Sequence, residues 1–230
     1  MKSTQHPTEP PPEGPSWSAG ELISFGGLSD KGTGYMGYSE RVGPCVLVLH
    51  DAYGLMSSVR VLTDRFVADG FTALAVDLYD GRTAEDAAIA HGLATGLDTA
   101  YTMKRLVAAA EHLSNNWHPR LGVVGFSTGA SLATMLAREV AVDATVVYYG
   151  GGSGLEQALG ERPLLGHFAH GDDFEPASAA LASMSAMDDA EVFVYEAAHG
   201  FANSDLTSYE PVAAELALVR TLEELHYQLS

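Results

Sequence analysis

Leu121-Gly-Val-Val-Gly-Phe-Ser127-Thr-Gly-Ala130 leads straight into Ser131-Leu-Ala-Thr-Met-Leu-Ala-Arg138. The first half is a short apolar run bounded by glycine, the pattern of a buried strand, and the second is alanine-rich at helical length. At the junction Gly125-Phe126-Ser127-Thr128-Gly129 matches G-x-S-x-G, the sharp strand-to-helix corner that lifts a serine hydroxyl clear of a sheet. Glycines at 125 and 129 allow the backbone to approach itself that closely. The stretch predicts a strand over 121–125, a turn carrying Ser127, and a helix over about 128–138.

Working outward, Pro44–His50 and Phe71–Val76 are apolar almost without a break, as in strands covered on both faces. Between them Val59, Leu62, Phe66 and Val67 recur at helical spacing and Gly70 supplies a stop, so the three pieces read strand, helix, strand. An alanine-rich helical region follows over 84–113. Beyond Ser127, strands are expected over 144–149, 164–170 and 191–195, with helices over 176–187 and 209–229. ELISF at 21–25 and GYMGYSE at 34–40, separated by glycines, predict two antiparallel strands at one edge of the sheet. The sum is an α/β chain with a doubly wound, mostly parallel sheet flanked by helices and no large lid. Residues 1–20 hold five prolines among polar residues and are expected to be a flexible tail, leaving 21–230 as a single domain.

Thirty acidic against twelve basic residues give a net charge of −18, which repels nucleic acid and anionic membranes. Neither partner is expected. No apolar stretch reaches membrane-spanning length and the first residues lack a secretory pattern, which predicts a soluble, cytoplasmic protein. Cys45 is the single cysteine, so neither an internal disulfide nor a multi-cysteine zinc site can form.

A serine hydroxyl is a weak nucleophile until a base takes its proton and a third group orients that base. In this architecture the acid and then the histidine come after the serine, each from a loop beyond a later strand. Asp172 follows the strand over 164–170, with Asp173 and Glu175 close by as competing acids. Of nine histidines, His199 sits in a glycine-flanked loop after the penultimate element. A rival reading gathers His167, His170, Asp172 and His199 around a metal ion. It is disfavoured because residues three apart on a strand face opposite sides.

Five ordered segments carry a resemblance over nearly all of residues 20–230. They are His50-Asp-Ala-Tyr-Gly54, Asp77-Leu-Tyr79, the elbow at 125–129, His167–Pro176 and Tyr195–Phe201. In these the chain resembles the dienelactone hydrolase family of the α/β-hydrolase superfamily. The resemblance implies Ser127, Asp172 and His199 as the catalytic triad, with the backbone N–H groups of Ala52 and Thr128 as the oxyanion hole. It also implies a small-molecule ester or lactone substrate, cleaved without cofactor or metal, while leaving the oligomeric state open.

The match departs from the family in three places. Founding members carry cysteine at the elbow with a glutamate beside it, where this chain has Ser127 and Asp51. The family's substrate-binding arginine lies just after D-L-Y, whereas Asp80 and Gly81 here push Arg82 one position late. Ala130 stands where a glycine is common. Asp51 and Arg82 are therefore candidate substrate-binding residues, and a non-hydrolytic cyclase, lyase or binding protein on the same fold is the alternative function.

Overall fold

Alternation of side chains on a fully buried strand explains how the sheet is clothed. In the computed structural model, which describes residues 20–151, 162–174, 176–185 and 187–230, the strand Cys45–Leu49 is buried at every position. Cys45, Leu47 and Leu49 enter one core layer; Val46 and Val48 enter the other. Such a strand must be apolar throughout. Burying each leucine contributes roughly 1.5–3 kcal/mol. The expected tail over 1–20 lies outside the described residues, Gly20 apart.

The sheet contains β1 (Glu21–Phe25), β2 (Gly32–Gly37), β3 (Cys45–Leu49), β4 (Thr72–Val76), β5 (Leu121–Phe126), β6 (Ala144–Tyr148), β7 (Leu164–Gly171) and β8 (Ala190–Ala198). Their order is β1-β2-β4-β3-β5-β6-β7-β8. The β1–β2 and β2–β4 pairings are antiparallel and every later pairing is parallel, so the two early strands form one edge as the sequence predicts. Helices α3 (Thr99–Asn116), α4 (Thr128–Glu139) and α5 (Ala177–Met184) cover one face. Helices α1 (Ser57–Ala68) and α6 (Pro211–Leu229) cover the other. No helix among the described residues is long and apolar enough to cross a membrane.

Two expectations need correction. The helical region over 84–113 is two helices, α2 (Ala87–Thr95) and α3, because Gly96 ends the first and the Asp98 carboxylate accepts the Tyr101 N–H to begin the second. Strand β8 runs past Tyr195 to Ala198, since its pairing with β7 continues to Gly171 across a register shift. That irregularity falls just before Asp172, where a bulge re-aims the chain leaving the sheet.

A polar thread crosses the layer between the sheet and α6. Arg220 donates to the Tyr195 hydroxyl (3.0 Å), which stands 2.9 Å from His167 Nδ1, and His167 Nε2 stands 3.0 Å from Thr221 Oγ1. Because Tyr195 accepts from Arg220, its own proton points to Nδ1, leaving Nε2–H to donate to Thr221. Burial first, and then the nearby Arg220 charge, push the His167 pKa down to about 3.

Two measurements test these packing arguments. A Cβ on Gly129 would collide with the Leu49 and His50 carbonyl oxygens, whereas one on Gly92, inside α2, meets nothing within 4 Å. Gly129→Ala should therefore cost about 1–3 kcal/mol in denaturant unfolding and Gly92→Ala should gain about 0.5–1 kcal/mol; equal effects would refute the close helix–strand approach. For His167, the unfolded state binds a proton below pH 6.5 that the folded state refuses down to about pH 3. Its contribution is complete above pH 6.5 and fades as pH falls, by up to about 1.4 kcal/mol per pH unit. Between pH 6 and pH 4 the unfolding free energy of His167→Gln should fall less steeply than that of the unsubstituted protein, and parallel slopes would contradict the assignment.

Candidate active site

The turn between β5 and α4 holds Ser127 at φ 50°, ψ −111°. A non-glycine residue in that region is strained, and surrounding contacts hold it there. Its N–H donates to the Tyr148 carbonyl (2.9 Å), and its carbonyl receives the N–H of Ala130 (2.9 Å) at the start of α4. Gly125 and Gly150 let the neighbouring backbone close around the turn: a Cβ on the first would strike Gly129, and one on the second would strike Ser127 itself. The hydroxyl thus stands at the carboxyl end of a central strand, where doubly wound sheets place their ligands.

Loops after β7 and β8 bring two more predicted residues to it. His199 Nε2 lies 2.9 Å from Ser127 Oγ, and His199 Nδ1 lies 2.8 Å from Asp172 Oδ2. The other Asp172 oxygen accepts the Phe174 N–H at 2.8 Å, and the carboxylate is fully buried. Asp173 is exposed, and Glu175 falls outside the described residues. An Nδ1–H held by the carboxylate leaves Nε2 free to accept a proton, so the arrangement can raise the nucleophilicity of the hydroxyl. Ala52 and Thr128 line the same cavity as Ser127 and His199. The cavity is about 330 Å³.

Asp51 and Arg82 are not among the residues that line this cavity. Asp51 is buried and spans two loops: one oxygen accepts the Tyr53 N–H (2.9 Å) and the other the Asn203 Nδ2–H (2.8 Å). Burial pushes its carboxyl pKa up, opposed by those two hydrogen bonds and by His50 and His199. Asn203 Oδ1 in turn accepts from the Ser58 hydroxyl (2.8 Å) and the Asp205 N–H (3.0 Å), while Asp205 accepts the Ser58 N–H at the start of α1. The loop bearing Ala52 is therefore fastened to the loop bearing His199. Arg82 folds back on its own turn, its Nε donating to the Tyr79 carbonyl at 3.1 Å.

The histidines singled out with a metal ion in mind separate. His167 has both nitrogens engaged within the core, and His170 is exposed at the strand end. Among the described residues no three His, Cys, Asp or Glu side chains are placed to hold a metal ion. His50 is a structural lock: Leu78 N–H donates to its Nε2 (3.1 Å), so its Nδ1–H points at the Asp51 carbonyl (2.7 Å). The Asp77 carboxylate likewise shapes its own turn by accepting the N–H groups of Tyr79 and Gly81.

Sequence reasoning missed Asn203, and it missed the cavity walls formed by Tyr149, Phe174 and the α2 residues Ala87, Ala90, His91 and Ala94. Tyr149 and Phe174 flank the His199 ring with centroids 5.0 and 5.2 Å away. A clue lay in the sequence: Ala87, Ala90 and Ala94 share one face of a helix at i, i+3 and i+7.

Comparison with known proteins agrees with this architecture. The model of the dienelactone hydrolase family matches residues 33–229. A relative from Azospirillum brasilense is 32% identical over 200 residues, covering 77% of this chain and 84% of its own. The carboxymethylenebutenolidase of Pseudomonas putida is 29% identical over 203 residues, covering 79% and 85%. A solved structure from Klebsiella pneumoniae has a TM-score of 0.79 at 21% identity, covering 90% of this chain and 98% of that one, a likeness of fold.

The fastening of the two loops gives a direct expectation. Asn203→Ala removes the donor to a buried carboxylate oxygen, a loss of about 1–3 kcal/mol, and releases the loop that carries His199. Its kcat should fall at least ~10-fold, about 1.4 kcal/mol of barrier, with KM little changed. A variant with lowered Tm but unchanged kcat would show that the bond serves stability alone.

Proposed function

The chain belongs to the dienelactone hydrolase family and is a carboxylic ester hydrolase, and we propose that it cleaves a small ester or lactone through an acyl intermediate on Ser127. One observation carries the reading: a continuous chain from the buried Asp172 carboxylate through His199 to the Ser127 hydroxyl, with links of 2.8 and 2.9 Å.

The steps follow from that geometry. His199 Nε2 takes the hydroxyl proton as Oγ adds to the carbonyl carbon, and Asp172 holds the imidazolium that forms. Negative charge grows on the carbonyl oxygen, where the N–H groups of Ala52 and Thr128 receive it; one such donor lowers the barrier by about 3–4 kcal/mol in measured cases. The tetrahedral adduct collapses, and His199 protonates the departing alkoxide. In a lactone that alkoxide stays tethered to the acyl group. Water then enters, gives its proton to His199 and releases the acid, restoring the serine.

With cysteine replaced by serine at the elbow, a thiolate route is unavailable and activation depends on His199. Asp51, tied to Tyr53 and Asn203, acts in this reading as a brace for the oxyanion loop, without touching substrate.

Ser127→Ala should lower kcat on a short aryl ester at least ~10³-fold with Tm nearly unchanged, and a serine-directed phosphonate should add its mass at Ser127. Asp172→Asn should cost far more activity than Asp173→Asn, because only the former misorients the base. Full turnover by purified Ser127→Ala, or a larger loss from Asp173→Asn, would overturn these assignments.

A further inference from the structure

A carboxylate-bearing substrate needs a cation where it binds, because an uncompensated charge is costly to take out of water. Twelve lysines and arginines are present in the chain, and none is among the described residues that line the Ser127 cavity. Several are committed elsewhere. Arg82 donates to the Tyr79 carbonyl, and Arg105 is held by the Asp77 carbonyl and the Asp80 carboxylate. Arg65 pairs with Glu215 and Arg120 with Asp143. Between Arg138 and Arg162 the sequence contains no lysine or arginine at all. A net charge of −18 adds a field that disfavours approach by anions.

The walls favour a different ligand. On one side α2 supplies Ala87, Ala90 and Ala94, each contributing only a methyl group, so this face is smooth and apolar. The lining also includes the Tyr149 and Phe174 rings, which flank His199. Flat rings pack against aromatic neighbours in offset or edge-on fashion and gain beyond simple area burial. His91 is the polar side chain that α2 contributes to the lining, and an imidazole can hydrogen-bond a hydroxyl or carbonyl substituent.

We propose that the Ser127 cavity is selective for uncharged esters or lactones built on a flat, aromatic or unsaturated ring, packed against the Ala90 and Ala94 wall. This rests on the acyl-serine reading and names the substrate class for that same site. It separates this chain from a carboxymethylenebutenolidase, whose substrate, by that name, carries a carboxyl group.

The test compares hydrolysis of phenyl acetate and 3-carboxyphenyl acetate, and of dihydrocoumarin and its carboxylated analogue, by the full chain. The neutral member of each pair should have a kcat/KM at least ~10-fold higher, the scale on which one mismatched pocket contact discriminates. Ala90→Leu should lower the ratio of phenyl acetate to vinyl acetate hydrolysis by roughly 10-fold, since a larger side chain fills the space of the ring. His91→Arg should shift preference toward the carboxylated member by a similar factor. Equal or faster cleavage of the carboxylated esters would overturn the proposal, as would their selective loss in Arg82→Ala. Cleavage of none of these compounds, with no labelling of Ser127, would instead remove the acyl-serine reading and the substrate class with it. The unsubstituted protein alone decides the first comparison, whatever the variants do.

Discussion

Ser127 at φ 50° can exist only because β5 and the first turn of α4 meet at van der Waals distance around it. Glycine at 125, 129 and 150 removes the side chains that would otherwise hold those backbones apart. Once the corner is made, the hydroxyl projects beyond the strand ends, and the first turn of α4 lies against the carbonyls that end β3. The loops after β3, β7 and β8 are then brought to one side of the sheet, where they supply Ala52, Asp172 and His199. The parallel order of the central strands is what puts all of these carboxyl ends together.

Hydrogen bonds between loops convert that proximity into fixed geometry. His50 fastens the end of β3 to the turn after β4, and Asp51 fastens the same loop to Asn203 beyond His199. Each of these polar groups is buried, so leaving one unpaired would cost more than its bond gains. The loops bearing Ala52 and His199 are therefore held by one connected polar framework running to the start of α1 through Asp205. The cavity beside Ser127 is walled in part by α2 and by the Tyr149 and Phe174 side chains.

Much of this was legible in the sequence because its signals are local. Continuous apolar runs such as Pro44–His50 announce strands buried on both faces, and the elbow at 125–129 joins the end of a strand, a glycine-framed serine and the start of a helix in five residues. Chain order singled out Asp172 and His199, and the fold brings both to Ser127 through contacts of 2.8 and 2.9 Å. The break at Gly96 was missed because alanine-rich segments on both sides keep helical character, and only the Gly96 stop and the Asp98 cap distinguish two helices from one. Asn203 was missed for a different reason. Its partner Asp51 is 152 positions away, and nothing in the local pattern of either residue encodes a pairing over that distance. The alternate positions of Asp51 and Arg82 were visible, but not that one faces Asn203 and the other its own turn.

The proposed reaction passes through a covalent bond between Ser127 Oγ and the acyl group of the substrate. It is tested most directly by quenching the enzyme in acid during steady-state hydrolysis of phenyl acetate, digesting it, and weighing the peptide that contains residues 121–138. An added acetyl group should appear on Ser127, formed in a burst that precedes steady turnover and absent when substrate is withheld. Turnover with no acetylated peptide under conditions that trap a known acyl-serine enzyme, or acetyl mapped to another side chain, would contradict it.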